Sequence, residues 1–112
     1  MIGARYSDIL NNLSDYTFHI LGCGAIGSSA AVQLVRMGAT SLCLYDYDSV
    51  EEENIGVSQY NHSNIGDKKV EALSKILKEI NKDVSAYGFD EKLEKLHSNS
   101  NDIVILGFDS MK

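Results

Sequence analysis

Proline is absent from this 112-residue chain, and cysteine occurs only twice. Without proline no helix or strand has to break on that account, so continuous elements are expected. Cys23 stands in a glycine cluster and Cys43 in an apolar run, with neither a Cys-x-x-Cys pair nor any other zinc-ligand spacing. Two reduced, mostly buried thiols are the expectation. Basic residues are also scarce: ten Lys and Arg against 16 Asp and Glu give a formal net charge of −6. That balance argues against a general nucleic-acid surface, while a local cation can still hold a phosphate. No stretch approaches the roughly 20 apolar residues of a membrane span. Nor does the Met1 end show a basic segment followed by an apolar one. No membrane association and a cytoplasmic location are therefore expected. With 44% apolar and 23% charged residues, the composition is that of an ordered globular protein, and the length suits one domain.

What the chain does have is a run of local signals that change in order. The apolar stretch Thr17-Phe18-His19-Ile20-Leu21 leads directly into Gly22-Cys23-Gly24-Ala25-Ile26-Gly27, and then into Ser28 to Val35. This reads as strand, glycine turn and helix, the arrangement that binds a nucleotide phosphate. Gly22 permits the tight turn, Gly24 lets the backbone approach a phosphate, and Gly27 lets the helix pack closely on the strand. The helix start adds unpaired N–H groups and the positive end of the helix dipole. Such a start also lowers the pKa of a thiol, so a reactive Cys23 stands as the minor alternative to a small residue chosen for space.

Gly38 supplies a helix stop, and Ser41-Leu42-Cys43-Leu44-Tyr45 reads as a second strand ending at Asp46. Residues 46–60 lack periodicity and are expected to form a long loop of functional weight. Lys68 to Asn81 carries Val70, Leu73, Leu77 and Ile80 at steps of three and four, widened by Ala72 and Ile76, which predicts a helix with one buried face. A third strand is expected at Val84–Tyr87, a short charged helix at Glu91–His97, and a fourth strand at Ile103–Leu106 leading into Gly107-Phe108-Asp109. Apolar strands alternating with helices imply an α/β fold with a parallel sheet. Right-handed crossovers give a Rossmann-like, doubly wound sheet of strand order 3-2-1-4. Gly22 to Gly27, Asp46 and Asp109 then meet at the carboxyl ends of the strands, where such sheets bind ligands.

Asp46 lies about 20 residues after the glycine cluster, where a carboxylate meets a ribose hydroxyl in dinucleotide-binding folds. On that ground alone an NAD-binding domain is an open reading. The further series Asp46-Tyr47-Asp48-Ser49-Val50-Glu51-Glu52-Glu53-Asn54, Gln59, Ile65 to Leu73 and Gly107-Phe108-Asp109-Ser110 resembles the ThiF-type family, from Arg5-Tyr6-Ser7 onward. That family comprises ATP-dependent activators of ubiquitin-like and sulfur-carrier proteins. The resemblance implies an ATP loop made of Gly22, Gly24, Ala25, Ile26 and Gly27, with Asp46 on the ribose. It further implies that Asn54 and Gln59 shape the phosphate pocket, that Lys69 contacts the phosphates, and that Asp109 holds Mg2+, with Asp48 as a second carboxylate. Lys69 and Asp109 are thereby the catalytic candidates. The implied reaction is attack of a small protein's or peptide's C-terminal carboxylate on the α-phosphate of ATP. A homodimer is implied as well, and the family pattern continues beyond the position of Lys112, so the sequence is expected to be the N-terminal, nucleotide-binding half.

Two positive charges common in the family are missing: residues 54–59 contain no arginine, and Arg5-Tyr6-Ser7 is followed by Asp8. A non-catalytic relative that keeps the fold as a binding or dimerisation module is accordingly a third reading. On isolated grounds Lys69 is an ordinary solvent-exposed lysine, and Asp46 and Asp109 are turn residues after strands. Glu51 to Glu53 read as a solvated acidic loop, His19 as a packed core histidine, and His62 and His97 as exposed.

Overall fold

The computed structural model describes residues 12–55, 58–90 and 101–107. Their elements are β1 (Thr17–Leu21), α1 (Ala25–Arg36), β2 (Ser41–Tyr45), α2 (Lys69–Ile80), β3 (Ser85–Phe89) and β4 (Asp102–Leu106), with short 3-10 turns at Leu13–Asp15, Glu52–Asn54 and His62–Asn64. All four strands run parallel in the order β3-β2-β1-β4. The expected α/β sheet and its strand order are therefore the observed ones. The short helix expected at 91–97 lies outside the described residues.

Register assigns the side chains to faces. Phe18 pairs with Leu42 and Ile103, and Ile20 with Leu44 and Ile105, so these residues share one face with Ala86 and Gly88. Both long helices pack there. A Cβ on Gly27 of α1 would meet Ile20, and a Cβ on Gly88 would meet Val70 of α2. The stripe predicted for the second helix is the buried one: Val70, Ala72, Leu73 and Leu77 sit inside, with Ile76 and Ile80 at its margins. On the opposite face His19 stacks at 6.0 Å on Tyr45, which stacks at 4.9 Å on Phe89. His19 is buried as expected. Its Nε2 lies 3.1 Å from an Asp102 oxygen and its Nδ1 3.1 Å from the Tyr45 hydroxyl, a polar tie across β4, β1 and β2. Cys43, on that same face, is half-buried, where the sequence suggested a mostly buried thiol.

The structure departs from the sequence expectation in three places, each for a physical reason. The first helix starts at Ala25 and not Ser28, because Gly24 takes the N-cap position and Ser28 N–H already donates to the Gly24 carbonyl at 2.9 Å. The third strand runs on to Phe89, since Gly88 leaves the space that Val70 occupies. The loop after β2 is partly ordered by side-chain caps. In each 3-10 turn an asparagine at the third position, Asn54 or Asn64, accepts from the backbone N–H three residues back.

Candidate functional site

The turn after β1 is held by backbone geometry first. Gly22 has φ +98°, a region open to glycine at little cost, and its N–H continues the ladder to the Tyr45 carbonyl at 2.8 Å. Gly27 stands so close to Gly22 that a Cβ would overlap the Gly22 carbonyl. Gly107, at the end of β4, is pressed against the same carbonyl and the Gly27 backbone, and donates its N–H to the Leu21 carbonyl at 2.7 Å. Gly24 differs: a Cβ there would touch nothing within 4 Å. Packing among the described residues therefore gives no reason for a glycine at position 24, whereas close approach of a ligand does. Among the described residues no side chain caps the helix start, so Ala25 and Ile26, both exposed, present N–H groups without intrahelical partners beside Gly27.

Asp46 and Cys23 lock the turn to the end of β2. One Asp46 oxygen accepts the Cys23 N–H at 2.7 Å, and the other accepts the Asp48 N–H at 2.8 Å. The Cys23 carbonyl accepts from the Tyr60 hydroxyl at 2.6 Å, and its thiol lies 3.9 Å from the Tyr45 carbonyl. Burial, then the nearby Asp46 carboxylate, push the Cys23 thiol up to about 12. A neutral, enclosed thiol is no nucleophile, so the reactive reading of Cys23 gives way to the small-residue one. The folded state prefers the protonated thiol, so its stabilising contribution is complete below the thiol's ordinary value of 9.0 and is lost as pH rises towards about 12. Urea unfolding of the wild type is expected to show stability falling as pH is raised above about 9, with a shallower fall in Cys23→Ala.

Residues 46–50 are zipped against the approach to α2. Val50 N–H donates to the Asp67 carbonyl at 2.8 Å, Gly66 N–H to the Val50 carbonyl at 2.9 Å, and Lys69 N–H to the Asp48 carbonyl at 2.9 Å. Gly66, at φ +94°, makes the bend that allows this. The zipper places the Lys69 ammonium 4.0 Å from an Asp48 carboxylate oxygen, and only 11% of the Lys69 side chain is exposed against 58% for Asp48. Lys69 is close enough to Cys23 to act on its thiol electrostatically. A cation at a helix start opposes the helix dipole, which leaves it suited to an anion. Lys68, one residue earlier, pairs instead with Asp90 at 2.9 Å on the surface.

The structure thus brings Gly22, Gly24, Ala25, Ile26, Gly27, Asp46, Asp48 and Lys69 to one end of the sheet. Two candidates are used otherwise. The Asn54 side-chain oxygen accepts the Glu51 N–H at 2.7 Å and caps its own turn. Gln59 is exposed, and its backbone N–H, not its side chain, reaches the Ser28 hydroxyl at 3.4 Å. Asp109 lies outside the described residues, and among the described residues no group of three or more His, Cys, Asp or Glu side chains could hold a metal ion. Sequence reasoning missed Tyr60, Ser28 and Gly107. Only Gly107, at the carboxyl end of an apolar strand, carried a readable signal.

A parallel sheet with a glycine turn, an acid after its second strand and an enclosed lysine near that turn is the arrangement in which α/β folds bind nucleotides. The chain belongs to the ThiF family, whose profile matches residues 3–112. It is 34% identical over 105 residues to ubiquitin-like modifier-activating enzyme 5 of Oryza sativa subsp. japonica, covering 85% of this chain and 25% of that protein. Among solved structures it is similar to E. coli MccB in complex with ATP, with TM-score 0.71 and 25% identity over 78% of this chain and 26% of that one. It is also similar to E. coli tRNA N6-threonylcarbamoyladenosine dehydratase, TcdA, with TM-score 0.70 and 25% identity, covering 80% of this chain and 40% of that one. The chain therefore spans a quarter of the length of its rice relative.

Proposed function

We propose that this chain is the ATP-binding part of an adenylating enzyme, which activates the C-terminal carboxylate of a small ubiquitin-like or sulfur-carrier protein or of a peptide. The observation that carries this reading is the Lys69 ammonium, little exposed, close enough to Cys23 of the Gly22–Gly27 turn to act on its thiol, and 4.0 Å from the mostly exposed Asp48 carboxylate. The name of the rice relative makes it an activator of a ubiquitin-like modifier, and MccB has been crystallised both with ATP and with AMPCPP and MccA. In this reading the N–H groups of Ala25, Ile26 and Gly27 receive phosphate oxygens and fix the orientation of the triphosphate. Asp46, while holding the turn through Cys23 and Asp48, retains acceptor capacity for a ribose hydroxyl. Lys69 neutralises charge that gathers on the attacked α-phosphate as pyrophosphate leaves.

Mg2+ needs only one or two carboxylates, completing its shell with phosphate oxygens and water, so the lack of a dense acidic cluster among the described residues is compatible with it. Asp109 would hold the ion and the exposed Asp48 would assist, and the bound ion would supply further neutralisation of the phosphates. Asn54 and Gln59 would border the phosphate pocket through the loop they shape more than through direct contact. A homodimer and a cytoplasmic location belong to the same proposal.

The decisive experiment is a thermal-shift comparison of ATP with magnesium, ATP alone, and NAD. Binding at one hundred times the Kd adds about 2.7 kcal/mol to folded stability, an easily read rise in Tm. Stabilisation by ATP with magnesium above the other two upholds the reading. Preference for NAD overturns it in favour of a dinucleotide-binding domain, and indifference to every nucleotide supports the non-catalytic module.

A further inference from the structure

Tyr60 closes the loop that begins at Asp46, and its ring is 3% exposed within the core that also holds Val50 and Val70. Its hydroxyl lies 2.6 Å from the Cys23 carbonyl and 3.4 Å from the Lys69 carbonyl. The Cys23 backbone is therefore held on both sides of its Cα, the N–H by Asp46 and the carbonyl by Tyr60. Burial pushes the Tyr60 hydroxyl well above the ordinary tyrosine range, so it remains a donor at any physiological pH.

A triphosphate needs the turn's N–H donors and the Lys69 charge at a fixed separation, yet the two belong to segments far apart in sequence. A misplacement of about 1 Å between such groups is enough to lose much of their joint effect. Asp46 holds the turn to β2, and the Asp48 carbonyl holds the start of α2 to the loop. Tyr60 is the described side chain whose single hydroxyl meets both the turn and the Lys69 backbone. We infer that Tyr60 is a positioning residue, coupling the phosphate turn to the cationic start of α2 so that both present to one nucleoside triphosphate. For its ligand this inference rests on the adenylating reading; for the coupling it rests on the two hydroxyl contacts alone.

Tyr60→Phe removes the hydroxyl and keeps the ring. Titration calorimetry with ATP and magnesium on the wild type, Tyr60→Phe, Lys69→Gln and the double variant is expected to show about a tenfold affinity loss for Tyr60→Phe, the scale of one buried hydrogen bond. The double variant is expected to lose less than the product of the single losses, because an unaligned lysine has less to lose. Amide hydrogen exchange of the nucleotide-free protein supplies a second readout. Tyr60→Phe is expected to speed exchange in residues 22–27 and in the first turn of α2 together. Unchanged affinity, fully multiplicative losses, or faster exchange confined to one of the two segments would each overturn the inference. Should the wild type bind no nucleotide, the adenylating reading falls; joint acceleration of exchange would still uphold the coupling, and unaltered exchange would reject it.

Discussion

Gly27→Val is expected to destabilise the protein by at least about 3 kcal/mol, at the upper end of what overpacking costs. The new Cβ would overlap the Gly22 carbonyl and press on the Ile20 side chain. Backbone cannot swing aside as the end of a side chain can, and Gly22 is itself fixed by its bond to Tyr45 and its positive φ. Relief would require α1 to lift from β1, opening the core around Ile20, Ala31 and Val32. At this size, roughly 4 °C of melting temperature per kcal/mol makes the loss about 12 °C or more. Gly24→Ala is the control. Its Cβ meets no atom of the described residues, and the loss of a glycine N-cap costs under about 1 kcal/mol. Thermal melting separates the two, and a Gly27→Val protein that melts like the wild type would show that the turn is not packed as described.

Lys69→Ala is expected to lower affinity for ATP with magnesium by roughly 10- to 100-fold, the scale of a charge-assisted hydrogen bond made without water. Its effect on the nucleotide-free protein is expected to be far smaller. The partner Asp48 is mostly exposed at 4.0 Å, and such pairs contribute about 0–1 kcal/mol. The contrast separates a ligand-directed lysine from a structural one, since a structural lysine would show its loss in melting and not in binding. Calorimetric titration together with a melting curve measures both. An affinity within a factor of about two of the wild type would remove Lys69 from the phosphates.

The sequence was most readable where one local rule dominated. Thr17–Leu21 and Ser41–Tyr45 are observed with the expected limits, because each is an apolar run bounded by glycine or aspartate. The stripe of Val70, Leu73 and Leu77 likewise predicted which face of α2 is buried. The expected limit of the third strand at Tyr87 falls short, because Val70 fills the space beside Gly88 and the strand runs on to Phe89. Local rules also said little about residues 46–60, where order comes from asparagine caps and a zipper to Asp67 and Lys69. Of the candidate site, the turn and Asp46 were legible through spacing, and Lys69 only through resemblance. Tyr60 was illegible in principle, since its partner Cys23 is 37 residues away and nothing in its neighbours announces the contact. Asn54, a candidate by resemblance, has its side-chain oxygen taken up in its own turn by the Glu51 N–H.

The meeting of Gly22, Gly27 and Gly107 is main chain against main chain, drawn from three separate stretches of the sequence. No rotamer has to be frozen for that junction to keep its shape, so the conformational entropy of ordering it is spent when the protein folds. An anion arriving at the adjoining amides would meet a preorganised cradle, and the free energy of its encounter would go into holding it, with little diverted to shaping the host.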